Sequence, residues 1–164
     1  MRILGIDPGL DRTGYGVIEV QNGSDPRLVE AGLVRSHRSD SLSRRLRVIA
    51  GEMRRLISQF QPDLMAVEDL YSYYKTPKPA ILMGHVRGVL LETAAGSDLP
   101  VFSYLPTRIK RAVVGQGHAG KEQVARLVQV RLRLSDRKVP PDVTDALAVA
   151  LCHVDGLRKQ KVTA

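Results

Sequence analysis

The sequence predicts an α/β domain on a five-stranded mixed sheet, three antiparallel strands first and parallel strands after them, flanked by helices. Three observations predict it. Three short strand patterns separated by tight turns fill the first 35 residues. Two later apolar strands then alternate with segments of helical spacing, as in helical crossovers between parallel strands. The chain ends in a run of shorter helical patterns.

Residues 1–7 run apolar into Asp7, and Asp7-Pro8-Gly9 breaks the strand with a turn. Residues 14–20 give a second strand, the turn cluster 21–26 follows, and 27–35 give a third. Ser39 or Asp40 is placed to cap a helix reaching about Phe60, with its apolar stripe on Leu42, Leu46, Ile49, Met53, Leu56, Ile57 and Phe60. Residues 64–68 form a short buried strand, and a polar loop leads to Pro79. A second helix is expected over 80–95, a fifth strand over 100–104, and helices near 106–114, 120–133 and 141–157. Right-handed crossovers set strands four and five parallel in the same sheet. Residues 1–157 thus read as one domain and 158–164 as a frayed basic tail.

A chain of 164 residues can bury a core without staples. No apolar run approaches a membrane span, and the start is too short and too acidic for a signal peptide. The single cysteine, Cys152, excludes an internal disulfide framework and fits a reducing, cytoplasmic setting. The net charge is +8, yet the first forty residues hold five basic and six acidic side chains, so the surplus lies beyond them. Eighteen of the 25 basic residues are Arg, whose planar fork suits phosphate. That balance favours a nucleic-acid partner, although charge of this size also serves solubility alone.

Four carboxylates stand out. Asp7 ends the first strand and Glu68 the fourth, and the topology sets those strands side by side with their carboxyl ends at one sheet edge, where ligand sites gather. Asp142 and Asp145 are three apart on the last helix and share a face. Singly, each has a plain reading: Asp7 as a turn former, Glu68 as a satisfied edge residue, Asp142 and Asp145 as dipole partners of a helix start. Jointly they repel unless hard divalent cations lie between them. Two such ions can hold an attacking water and stabilise a leaving oxygen at phosphorus. The four histidines are scattered and Cys152 stands alone, so a His- or Cys-based centre has no support in the sequence. Cys152 beside His153 reads as core packing.

Gly5-Ile6-Asp7-Pro8-Gly9 followed by Thr13-Gly14-Tyr15-Gly16-Val17 resembles the opening of the RuvC family of bacterial Holliday junction resolvases. Ala66-Val67-Glu68 resembles that family's second acidic motif. Residues 113–117 with Ala119, Lys121, Gln123 and Val124 resemble its basic segment, and residues 142–150 its closing acidic helix. The matches run in order over nearly the whole chain. The resemblance implies a ribonuclease-H-like fold, with Asp7, Glu68, Asp142 and Asp145 as catalytic acids and ligands of two divalent ions, Mg²⁺ or Mn²⁺. It implies a homodimer making paired symmetric nicks across four-way junction DNA and working with the RuvA–RuvB branch-migration motor. Lys110 and Lys121 match basic positions near the scissile phosphate; as lone lysines they read equally as solvated helix faces.

Tyr71, Tyr73 and Tyr74 follow Glu68 in a polar loop with Lys75 and Lys78. Aromatic faces stack on unpaired bases, or cover a helix or a partner subunit. Tyr71 matches a position where the family usually has a base-stacking Phe. Asp69 replaces the family's usual Gln, and an added carboxylate there bears on metal preference or loop position. Gly115 to Gly120 holds three glycines, which suit either a backbone approach to phosphate or a plain turn between helices. Gly84 and Gly88, four apart on the second helix, suit packing on the sheet or a subunit seam, the latter being that helix's role in the resembling family. Two other readings share these residues: a nuclease of the same fold acting on RNA or RNA–DNA hybrids, and a non-catalytic junction-binding module.

Overall fold

A computed structural model describes residues 1–21, 24–70, 77–134 and 138–162, the last four as backbone alone. Its sheet holds β1 (Arg2–Asp7), β2 (Arg12–Glu19), β3 (Arg27–Arg35), β4 (Leu64–Glu68) and β5 (Val101–Tyr104) in the order β3-β2-β1-β4-β5. β1 and β2 pair antiparallel, as do β2 and β3, whereas β4 lies parallel to both β1 and β5. This is the expected mixed sheet. Its helices are α1 (Leu42–Phe60), α2 (Pro77–Ala95), α3 (Pro106–Val114), α4 (Lys121–Arg131) and α5 (Pro141–Val162).

Side chains alternate across the central strands, and the alternation assigns the two layers. Leu4, Ile6, Met65 and Val67 pack with Ile49, Met53 and Leu56 of α1 and with Val86 and Leu90 of α2. Ile3, Leu64 and Ala66 face Leu147 and Leu151 of α5, with Ile109 of α3 and Val124 and Val128 of α4 alongside. By the same period of two, Asp7 and Glu68 fall on the α5 face, next to the Ile6–Val67 pair that closes the β1–β4 ladder. A one-residue slip in either strand would bury one of these acids under α1.

Glycines set how closely α5 approaches. A methyl at Gly14 would overlap the main-chain oxygen of Asp142, and one at Gly5 that of Ala146. A methyl at Gly16 would run into the Leu147 side chain. The first half of α5 therefore lies directly on the β1–β2 backbone, and this contact carries Asp142 and Asp145 to the sheet edge where β1 and β4 end.

Several boundaries differ from expectation. The cap of α1 is Ser41, whose Oγ accepts from the Arg44 N–H at 3.4 Å, rather than Ser39 or Asp40. β2 begins at Arg12, and α2 begins at Pro77 because proline suits the first helical turn. α5 runs to Val162, past the expected end at 157. Among the described residues no helix is long and apolar enough to cross a membrane.

Candidate active site

Asp7, Glu68 and Asp145 line one cavity of about 190 Å³, together with Lys110, Lys121, Pro106, Ile109, Val124 and Ala148. Residues 138 positions apart in sequence thus share a space with room for a few small ligands. Two larger hollows lie beside β3, one bordered by Glu19 and Asp25 and the other by Glu30, and Glu19 is already paired with Arg2 and Arg27.

The electrostatics follow from burial and crowding. Burial pushes the Asp7 carboxyl up to about 8, and the negative charges of Glu68, Asp145 and Asp142 add to the effect, as does a hydrogen bond to Glu68. Glu68 is also raised, chiefly by burial and then by Asp145. Asp145 is raised by burial, while Lys121 pulls it back. The Lys121 Nζ donates to Asp145 Oδ2 at 3.5 Å, and Asp145 in turn raises Lys121.

Asp142 stands apart from this trio. It does not line the cavity, and its Oδ2 lies 3.2 Å from Arg12 Nε. The pair is misaligned for a hydrogen bond, so Oδ2 is buried without one. Among the described residues no three acidic, histidine or cysteine side chains close around one point as tightly as ligands on an ion. The donor set nonetheless fits a hard divalent cation: all the donors are carboxylate oxygens, they repel one another, and one of them holds a proton at neutral pH that a cation would replace.

Arg87 supports Glu68 from behind and was not legible as a functional residue in the sequence. Its side chain is 14% exposed. Nη1 donates to the Glu68 carbonyl at 2.9 Å and Nη2 to Ser103 Oγ at 2.5 Å. Nη2 also lies 3.2 Å from Asp69 Oδ1. Asp69 is thus occupied by α2 and adds no carboxylate to the cavity lining. Its N–H donates to the Tyr104 carbonyl at 2.8 Å, continuing the β4–β5 ladder one residue further.

Other expectations resolve as follows. Gly115 has φ 83 and gives its N–H to the Arg111 carbonyl, so it ends α3 as a turn and that N–H is not free for phosphate. No neighbour lies within 4 Å of a methyl built at Gly84 or Gly88, so these glycines face outward rather than onto the sheet. Cys152 and His153 are buried. His153 Nδ1 is hydrogen-bonded to the Tyr104 hydroxyl at 2.7 Å, which makes it a core residue. Tyr71, Tyr73, Tyr74 and Lys75 lie outside the described residues.

A pH dependence follows. Asp7 keeps a proton in the folded protein that the unfolded chain loses near its ordinary 3.8. The folded pKa is the higher one, so this contribution is complete below about pH 4 and is lost as pH rises through 8. His153 is depressed from 6.5 by burial and by Arg108, so its effect falls below that pH. Between pH 7 and 8.5 the metal-free thermal midpoint is therefore expected to drop, and saturating Mg²⁺ to raise it more at pH 8.5 than at pH 7. Equal Mg²⁺ shifts at the two values would contradict the crowding of Asp7.

A sheet of this order, crossed at the carboxyl ends of β1 and β4 by an acid-bearing helix, has the ribonuclease-H-like architecture. The family model for the crossover junction endodeoxyribonuclease RuvC matches residues 3–153. The RuvC of Rhodopirellula baltica is 47% identical over 152 residues, 92% of this chain and 84% of that protein. The RuvC of Caldicellulosiruptor saccharolyticus is 42% identical over 154 residues, 94% of this chain and 92% of its own. A solved structure of Thermus thermophilus RuvC in complex with a Holliday junction substrate superposes with TM-score 0.91 at 32% identity, covering 98% of this chain and 96% of the other. This chain belongs to the RuvC family.

Proposed function

We propose that the chain is a structure-selective endonuclease that resolves Holliday junctions by paired symmetric nicks, in DNA recombination and repair. The observation that carries this is the cavity shared by Asp7, Glu68 and Asp145 and flanked by Lys110 and Lys121. Family membership supports it, as does a relative's structure holding a Holliday junction substrate.

In this reading Asp7, Glu68, Asp145 and Asp142 hold two divalent cations, Mg²⁺ or Mn²⁺. When bound, these supply an acidified water and charge for the leaving oxygen. The protein does the rest. Its carboxylates supply oxygen donors from three rigid elements, β1, β4 and α5. Arg87 fixes the main chain of Glu68, and Lys121 orients Asp145. Lys110 and Lys121 place positive charge where a phosphodiester becomes more negative. By family resemblance Tyr71 is assigned to stacking on an opened base, and Tyr73, Tyr74 and Lys75 to DNA binding. The enzyme acts in the cytoplasm with the RuvA–RuvB motor.

Two symmetric nicks need two sites related by a two-fold axis. We assign the seam to the outer face of α2, where Ile81 (58% exposed), Gly84, Gly88 and Leu91 (39%) recur at helical spacing. Gly88→Lys meets open space within the subunit and is expected to keep the fold while converting a dimer to a monomer in sedimentation. A Gly88→Lys protein that stays dimeric would move the seam elsewhere.

Cleavage of a synthetic immobile four-way junction, mapped on all four strands beside an RNA–DNA hybrid duplex, tests the proposal. Metal-dependent cuts at symmetric positions on two opposed strands are expected. Preference for the hybrid would assign a different ribonuclease-H-like activity, and metal-independent binding without turnover would leave only a binding module.

A further inference from the structure

Arg12 opens β2 with a side chain that is 56% exposed, and its carboxylate partner is Asp142. The nearer acid in the chain, Asp11, is already taken: Arg45 pairs with its Oδ1, and Arg38 lies 2.5 Å from Oδ2. Asp142 belongs to the acid set, yet it is the one acid of the four that does not line the cavity. Its Oδ2 is buried, 3.2 Å from Arg12 Nε, without an aligned hydrogen bond. Beside Arg12, as its partner in the β2–β3 ladder, stands Arg35. Arg35 is exposed and has no acidic partner among the described residues. Like charges directly opposite across a ladder are unfavourable unless an anion lies between them.

We propose that Arg12 is a metal-released contact to the DNA backbone. It neutralises Asp142 while the site lacks cations and turns with Arg35 to a backbone phosphate of the bound strand once a cation takes that carboxylate. This rests on the nuclease reading above. The physical reason is competition: a guanidinium and a divalent cation cannot both be well served by one half-buried carboxylate, since each repels the other at that distance. A displaced guanidinium next to a second one forms a fork that suits phosphate oxygens. Metal and DNA then favour each other's binding by the same factor.

Arg12→Gln, in the full chain, tests this without reading cleavage. Two quantities are measured. One is the Mg²⁺ concentration giving half of the thermal shift without DNA. The other is junction affinity by fluorescence anisotropy over a salt series, in EDTA and in Ca²⁺, which takes oxygen ligands as Mg²⁺ does. The Mg²⁺ half-point is expected to fall about fivefold, because Asp142 loses its competitor. In Ca²⁺ the affinity weakens and the slope of log affinity against log salt shrinks by about 0.9, the loss of one phosphate contact. In EDTA junction binding stays as in the wild type. Arg12→Lys keeps a charge and gives smaller changes of the same sign. A damaged fold would need more Mg²⁺ rather than less. An unchanged Mg²⁺ half-point, or an equal loss of DNA affinity in EDTA and Ca²⁺, overturns the proposal. A wild type that shows neither a metal shift nor junction binding overturns the nuclease reading, and this proposal with it.

Discussion

Asp7→Asn is expected to lower junction cleavage by well over about 100-fold, the usual upper loss from disturbing only the hydrogen bonds behind a metal ligand. Junction binding is expected to survive, because the change adds no negative charge to a basic protein. Stability should move the other way. Burial raises the Asp7 pKa to about 8, and repulsion from Glu68, Asp145 and Asp142 adds to the effect. A neutral amide of the same shape removes that repulsion, so the metal-free thermal midpoint at pH 8.5 should rise above wild type while the Mg²⁺-induced rise shrinks. Few buried substitutions stabilise a protein while abolishing its activity, and the combination marks a site whose acids are held together against their charge. Cleavage at the wild-type rate would remove Asp7 from the chemistry. A lower metal-free midpoint would mean that the carboxyl serves structure.

Gly14→Ala carries the second large effect, and its sign on stability is opposite. The added methyl would overlap the Asp142 main-chain oxygen. Backbone cannot yield as a flexible side chain does, so the first turn of α5 must shift. Overpacking of this kind costs about 1–3 kcal/mol and sometimes more. Asp142 and Asp145 ride on that turn, so cleavage and the Mg²⁺ shift should both fall, with junction affinity less affected. Gly51→Ala is the control: Gly51 is exposed on α1 with nothing within 4 Å of the new methyl. There the better helix former should stabilise by about 0.5–1 kcal/mol. Equal behaviour of the two variants would show that the approach of α5 does not depend on a bare backbone at Gly14.

The fold was legible in the sequence where a physical rule leaves one answer. Asp7 and Glu68 end strands that the predicted topology sets side by side, so both fall at one sheet edge, and parallel pairing of β1 with β4 follows from the crossover through α1. Helical spacing sets Asp142 and Asp145 on one side of α5. What the sequence concealed depends on contacts between distant segments. Nothing near Arg12 indicates a partner 130 residues away, and nothing near Arg87 indicates the Glu68 carbonyl. Gly5, Gly14 and Gly16 read as strand and motif glycines; their service as a seat for α5 emerges only when the helix lies over them. Asp69 looked like an extra acid for the site, but Arg87 had a prior claim on it. The α1 cap was misplaced by one or two residues because Ser39, Asp40 and Ser41 are all competent cap residues and only the turn geometry selects among them.

The central claim is that carboxylates from β1, β4 and α5 are brought together to share cations. Diffraction from crystals soaked in Mn²⁺, with data collected for its anomalous signal, tests it most directly. The expected result is manganese density bounded by Asp7, Glu68 and Asp145, with the Asp142 carboxylate turned toward it and away from Arg12. Manganese bound elsewhere, or none in this cavity at saturating concentration, would contradict the account.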